Sequence, residues 1–323
     1  MQQRPLGRSG LVVSRLALGT MTWGRDTEAD DAAAQLKTFL DAGGTFVDTA
    51  DVYADGEAEV VLGALLGPLV SRDDLLVATK AGLRPDQQRR RDGSRAHLLA
   101  SLDASLRRLG TDHVDLWTVH GYDPHTPLDE TLCALDHAVS SGRARYVGVA
   151  NFSGWQTARA ATWQAAWPGR APLVCAQVEY SLLERGVERE VLPACAALGL
   201  GVLPWSPLGR GVLTGKYRHG RPADSRAASP HFGPFVTPYL TPRSSAVVEA
   251  VMTAADGLGV SPVQVALAWV RDRPGVVAPV LGARTVGQLL GALQVEDVVL
   301  PPEISRALSD VSAVDIGYPE RQG

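Results

Sequence analysis

Four residues of this chain could handle a proton together: Asp48, Tyr53, Lys80 and His120. The first two stand in FVDTADVY, residues 46–53, where an apolar run ends in a carboxylate and a phenol follows beyond a short polar link. Lys80 follows the apolar run 75–79, and His120 follows the run 114–119. A free tyrosine ionises at about 10, and an adjacent ammonium favours its anion, so Lys80 would bring the phenol toward working range. Asp48 would hold and neutralise that lysine. His120 can donate a hydrogen bond to a carbonyl oxygen while Tyr53 delivers the proton. Such a set protonates a carbonyl that is being reduced. No His, Cys and Asp cluster at metal-ligand spacing accompanies it, so no metal is expected and the electrons should come from an organic hydride donor.

These groups converge only if the segments before them are neighbouring strands. Strands are expected at 16–19, 45–48, 75–79, 114–119, 146–150, 173–179, 201–204 and 276–281. Helical spacing falls between them at 32–40, 58–66, 98–109, 128–139, 155–167 and 187–198, and later at 263–270, 285–293 and 301–311. The repeat is about the 30 residues of a βαβ unit. No G-x-G-x-x-G turn follows the first strand, as an open dinucleotide-binding sheet would require. The expectation is therefore an α/β fold, a (β/α)8 TIM barrel, spanning 1–323 as one domain with an N-terminal β-hairpin and extra C-terminal helices. A barrel places its chemistry at the C-terminal ends of its strands. Singly, Asp48 and Lys80 read as a strand-end ion pair and His120 as a satisfied polar residue. At three successive strand ends they read as a site. Segment 208–243, rich in Gly and Pro, is too long for an ordinary connection and reads as a functional lid or a disordered stretch.

Composition removes other classes. A net charge of -4 argues against a polyanion binder, so no nucleic-acid partner is expected. Cys133, Cys175 and Cys195 are odd in number and far apart, which fits a reducing cytoplasm better than a disulfide framework. MQQRPLGRSG lacks the apolar core of a signal peptide and no run approaches a membrane span, so no membrane partner is expected. The oligomeric state is silent.

The whole pattern resembles the aldo-keto reductases, a barrel family that uses NADPH without a Rossmann domain. The resemblance rests on LGRSGLVVSRLALGTM, DTADVY, the Thr79-Lys80 step, VDLWTVH, VGVANFS, QVEYSLLERG, WSPLGRGVLTGKY and GARTVGQL. The phrasing is similar to the bacterial branch that also resembles potassium-channel β subunits. The resemblance implies an NADPH-dependent reduction of an aldehyde or ketone, with Tyr53 as general acid, Lys80 and Asp48 tuning it and His120 orienting the carbonyl. It implies that Asn151 and Gln177 hold the nicotinamide carboxamide and that Trp205 stacks on the ring. Gly19, Thr20 and Met21 would line the ribose side, with Asp48 nearby. Ser206, Pro207, Leu208, Gly211 and Lys216 would embrace the pyrophosphate, and Gly282, Arg284 and Gln288 the adenosine end. Arg284 beside a 2'-phosphate would favour NADPH over NADH. The alternative implied is a regulatory subunit that binds NADPH with negligible turnover.

The chain departs from the family pattern at Ala150, Ala176 and Ala292, and Ala54-Asp55 replace the common Gly after the tyrosine. Trp23, Tyr122, Phe232 and Phe235 fall on loops after strands and could wall a substrate pocket, with Trp23, Tyr53 and His120 as the substrate-contacting set. Five arginines at 84, 89, 90, 91 and 95 read as a mobile solvated loop rather than an anion clamp.

Overall fold

The computed structural model describes residues 1–85, 87–223, 225–229, 231–315 and 317–318. Strand β1 (Gln3–Pro5) pairs antiparallel with β2 (Val12–Ser14), and the hairpin caps the N-terminal end of a barrel. Gly7, at its turn, has φ +60, and a Cβ there would stand 2.4 Å from the Val174 carbonyl oxygen. Only glycine allows that approach.

The barrel strands are β3 (Ala17–Gly19), β4 (Phe46–Asp48), β5 (Leu76–Ala81), β6 (Val114–Val119), β7 (Ala144–Ala150), β8 (Leu173–Glu179), β9 (Gly201–Trp205) and β10 (Val280–Gly282). They form one parallel sheet in the order β10-β3-β4-β5-β6-β7-β8-β9. A parallel bridge between Val202 and Val276 brings β9 against the segment before β10, so the sheet nearly closes. This is the expected (β/α)8 barrel. The last strand is shorter than 276–281 because Pro279 has no N–H to give to a ladder. Lys80 lies inside β5, opposite Thr118, rather than after it.

The outer helices run Ala29–Asp41, Glu57–Leu65, Arg95–Leu109, Leu128–Ser140, Gly154–Ala165 and Val191–Leu198, followed by Pro242–Leu258, Pro262–Arg271, Val286–Leu293 and Pro302–Val311. Ser261 caps one of them through Gln264, with Pro262 at its first turn as the sequence suggests. The helix expected over 187–198 starts only at Val191, after a separate turn at Gly186–Glu188. Pro193 cannot donate to the carbonyl of Arg189, so an earlier start would lose that bond. Segment 208–243 is ordered by short turns at Gly209–Thr214, Arg226–Ala228 and Thr237–Tyr239 and a single helical turn at Gly233–Val236. Its Val212, Leu213, Ala227 and Val236 are buried, which replaces the disordered alternative; residues 224 and 230 lie outside the described residues. Among the described residues no single helix is long and apolar enough to cross a membrane.

Candidate active site

Asp48 ends β4, Lys80 lies near the end of β5 and His120 follows β6, so three adjacent strands deliver them to one rim. The Lys80 ammonium donates to Asp48 Oδ2 and to the Thr49 carbonyl, each at 2.7 Å, and reaches the Tyr53 hydroxyl at 3.4 Å. Gln177, from β8, donates to Asp48 Oδ1 at 2.9 Å. The Tyr53 ring meets His120 edge-on at a centroid separation of 6.1 Å. Among the described residues, the non-glycine positions with left-handed φ are Ala54, Asp55, Asn151, Ser206 and Arg210. The first two follow Tyr53 and the other three line the cavity beside it. Backbone strain of this kind collects at functional sites.

Burial sets the charges at this rim. It raises the Tyr53 phenol above its ordinary value; Lys80 pulls the other way, as expected from the sequence, but does not win. Burial would discharge Lys80, yet Asp48 and the phenol hold its ammonium above the ordinary lysine value. His120 is driven well below the ordinary imidazole value, first by burial and then by the charges of Lys80 and Arg91. The neutral-pH state is thus a protonated phenol against a charged lysine, beside a neutral imidazole. His120 Nδ1 is buried without a hydrogen-bond partner among the described residues.

A cavity of about 690 Å³ opens over the rim. Asp48, Tyr53 and His120 meet it, as do Asn151, Gln177 and Trp205. Asn151 donates to the His120 carbonyl at 2.9 Å and accepts from the Trp205 indole at 3.0 Å, which fixes the three together. Gly19, Met21, Ser206, Pro207, Leu208, Gly211 and Lys216 also line the cavity, with Gly282, Arg284 and Gln288 on the β10 side. Two expected contacts are placed differently. Thr20 is fully buried beneath the wall, its hydroxyl donating to the Asp48 carbonyl at 3.3 Å. Trp23 is also fully buried, its indole donating to Gln35 at 3.1 Å, so it packs the core under the rim and is not a substrate wall. Hydrophobic burial of so large a ring outweighs its use at the surface.

Of the other three aromatic residues named as a possible wall, Phe235 lines the cavity, while Phe232 and Tyr122 do not. Arg210 and Arg226 escaped the sequence reading. Arg210 grips both Glu179 oxygens at 2.8 and 2.6 Å and lies 3.8 Å over the Phe235 ring, which fastens segment 208–243 to β8. Arg226 lines the cavity near Arg284; burial, then that neighbour's charge, lowers its pKa. Its place depends on how the segment folds back, and no spacing signals it. The side chains of three of the five arginines in this loop have partners. Arg84 pairs with Asp92 at 3.1 Å, Arg89 with Asp123 at 2.5 Å, and Arg91 donates to the Tyr122 carbonyl at 3.2 Å.

A sequence model of the Aldo/keto reductase family matches residues 15–313. A protein of Oryza sativa subsp. japonica named as a probable voltage-gated potassium channel subunit beta is 37% identical, over 99% of this chain and 98% of its own. The uncharacterized oxidoreductase YrpG of Bacillus subtilis (strain 168) is 36% identical over 96% of both chains. The L-glyceraldehyde 3-phosphate reductase of Escherichia coli (strain K12) is 36% identical, over 90% of this chain and 86% of its own. With barrel, rim and sequence in agreement, the chain belongs to the aldo/keto reductase family and is an NAD(P)H-dependent oxidoreductase acting on small-molecule carbonyl compounds.

Proposed function

We propose that the protein reduces an aldehyde or ketone to the alcohol with NADPH, Tyr53 serving as general acid. The observation that carries this reading is the Tyr53 hydroxyl held 3.4 Å from Lys80 Nζ beside a cavity walled by Asn151, Gln177 and Trp205. The walls fit a dinucleotide: a Cβ at Gly287 or Gly291 would meet nothing within 4 Å, and at Gly211 only the end of Lys216. Asn151 and Gln177 offer amides to the carboxamide, and Trp205 offers a face to the ring. Ser206, Pro207, Leu208, Gly211 and Lys216 surround the pyrophosphate, with Gly19 and Met21 toward the ribose. Gly282, Arg284 and Gln288 take the adenosine end, at the start of helix Val286–Leu293. The 2'-phosphate of NADPH, which NADH lacks, would relieve the repulsion between Arg226 and Arg284.

NADPH held there by these residues would supply the hydride for the carbonyl carbon. Tyr53 gives its proton to the carbonyl oxygen, Lys80 stabilises the phenolate left behind, and neutral His120 donates a hydrogen bond that orients the oxygen. Asp48 keeps Lys80 charged and in place. In the test, Tyr53→Phe binds NADPH by nicotinamide fluorescence as the wild type does. Its oxidation of NADPH with 4-nitrobenzaldehyde falls by roughly 10²- to 10⁴-fold. Undiminished turnover would remove Tyr53 from the role. The likeness to the rice channel-subunit protein favours a second reading, a cofactor-binding regulatory subunit, which negligible wild-type turnover with tight NADPH binding would support.

A further inference from the structure

Beside the proton site lies a second set of ionisable groups, fully buried Glu59 and half-buried Asp51 and Arg108, that the reduction just described does not use. Asp51 stands between Asp48 and Tyr53 in the chain, and its amide donates to the Lys80 carbonyl at 3.1 Å. Its Oδ1 is buried with no hydrogen-bond partner among the described residues. Glu59, fully buried on helix Glu57–Leu65, accepts from the Thr79 hydroxyl at 2.5 Å and from Arg108 Nε at 2.8 Å. Arg108 comes from helix Arg95–Leu109 and also packs on Gly56, where a Cβ would lie 2.9 Å from it. The charged and titratable groups that act on Asp51, or on which it acts, are Glu59 and Arg108 on two helices, Lys80 on β5, and Tyr53 at the start of the turn Tyr53–Gly56. A buried carboxylate oxygen without a donor is costly, whereas a carboxylic acid is tolerated. Glu59 has taken the arginine, and Asp51 is left to hold a proton.

We propose that Asp51 is a positioning residue that sets the proton affinity of Tyr53 through its own protonation, neutral while the phenol gives up its proton and, as an anion, holding that proton on the phenol. The inference rests on the reductase reading above. Burial, then repulsion from Glu59, lifts the Asp51 carboxyl to about 7, against the opposing pull of Arg108, the Val52 amide and Lys80. Tyr53, raised chiefly by burial, is raised further by an anion at Asp51. As pH climbs through about 7, Asp51 releases its proton to water, negative charge appears near the phenol, and the phenolate formed on proton transfer is disfavoured. His120 is already neutral in that window and Lys80 is still charged, so neither mimics the effect.

The experiment is single-turnover oxidation of bound NADPH by 4-nitrobenzaldehyde across pH. The wild-type rate falls as pH rises through about 7, while Asp51→Asn loses that inflection, so the ratio of variant to wild type climbs roughly threefold to tenfold. A flat wild-type profile, or the same inflection in the variant, overturns the proposal; a merely structural Asp51 would lower the rate alike at every pH. Should Asp51→Asn fail to fold, Glu59→Gln replaces it, because loss of that anion moves the inflection to lower pH and an unmoved inflection overturns the idea. A further arm needs neither cofactor nor substrate. Ultraviolet titration of Tyr53, isolated by difference from Tyr53→Phe, shifts to lower pH in Asp51→Asn, and the absence of a shift overturns the coupling. A protein with no turnover but with this shift would defeat the reductase reading alone.

Discussion

The Gln177 side-chain amide reaches from β8 to Asp48 at the end of β4 and donates to its Oδ1 at 2.9 Å, while Lys80 occupies Oδ2 at 2.7 Å. Each oxygen of this buried carboxyl accepts a hydrogen bond, as a buried polar group requires. Asp48 is therefore tied on both sides and fixes the position of Lys80. The same bond ties Gln177, which the proposed function sets against the nicotinamide carboxamide, to the Asp48–Lys80 pair.

Lys80→Met tests the ion pair. The substitution leaves Asp48 buried without its cation, at a cost of about 3–5 kcal/mol, and the urea-unfolding midpoint should drop accordingly. Tyr53, already raised by burial, loses the ammonium that opposes the rise and titrates higher still, so carbonyl reduction falls at every pH. Adding Asp48→Asn should return much of the stability but none of the turnover. A double variant as unstable as the single one would show that packing, not charge, holds the site.

Arg226→Ala tests cofactor choice. A charged hydrogen bond contributes about 1.5–3 kcal/mol, so NADPH should bind roughly tenfold to a hundredfold more weakly. NADH, without the 2'-phosphate, should bind nearly as before. Equal losses for both cofactors in parallel fluorescence titrations would move Arg226 away from the phosphate.

The strand ends and the barrel were legible because each depends on local pattern: apolar runs before Asp48, Lys80 and His120, repeated at a βαβ period. The wall formed by Asn151, Gln177 and Trp205 was legible only through family resemblance, since nothing in their spacing names a ligand. Trp23 misled because a tryptophan after a strand reads alike whether its ring faces a cavity or the core. Arg226 and the pinning of Arg89 by Asp123 were invisible, because long-range contacts decide them and the intervening turns carry no periodic signal. The net direction of the Tyr53 shift was missed for a related reason. The lysine is written in the sequence, but the depth of burial that outweighs it is not.

Asp123 makes the arginine-rich loop sensitive to acid. It accepts from the Gly93 and His125 amides, the Thr126 hydroxyl and Arg89. Burial alone would raise its carboxyl, but these donors outweigh it and hold it at about 2. The unfolded value is about 3.9, so the folded group is the stronger acid; its contribution is complete above that value and is lost as pH falls toward about 2. Stability measured by urea unfolding should decline across this window in the wild type and decline less in Asp123→Asn. Identical slopes would place the acid sensitivity on other carboxylates.

The turn after Tyr53 stores strain that a glycine would release. Ala54 has φ 48 and ψ 42, Asp55 has φ 56 and Gly56 has φ 96, so successive residues sit in left-handed conformation. An L-residue there costs roughly 1–2 kcal/mol, and glycine recovers most of this while giving back part through the freedom of the unfolded chain. Ala54→Gly should therefore stabilise by about 0.5–1 kcal/mol, whereas Ala54→Val, β-branched, should destabilise by more than that. Asp55→Gly should gain less, since a short polar side chain tolerates this region. Differential scanning calorimetry of the three variants checks the order. If Ala54→Gly melts no higher than the wild type, the left-handed turn is imposed by its surroundings at no cost to alanine. If it melts higher while NADPH oxidation slows, the alanine is fixing the angle at which Tyr53 meets the cavity, and the strain is spent on aiming the phenol.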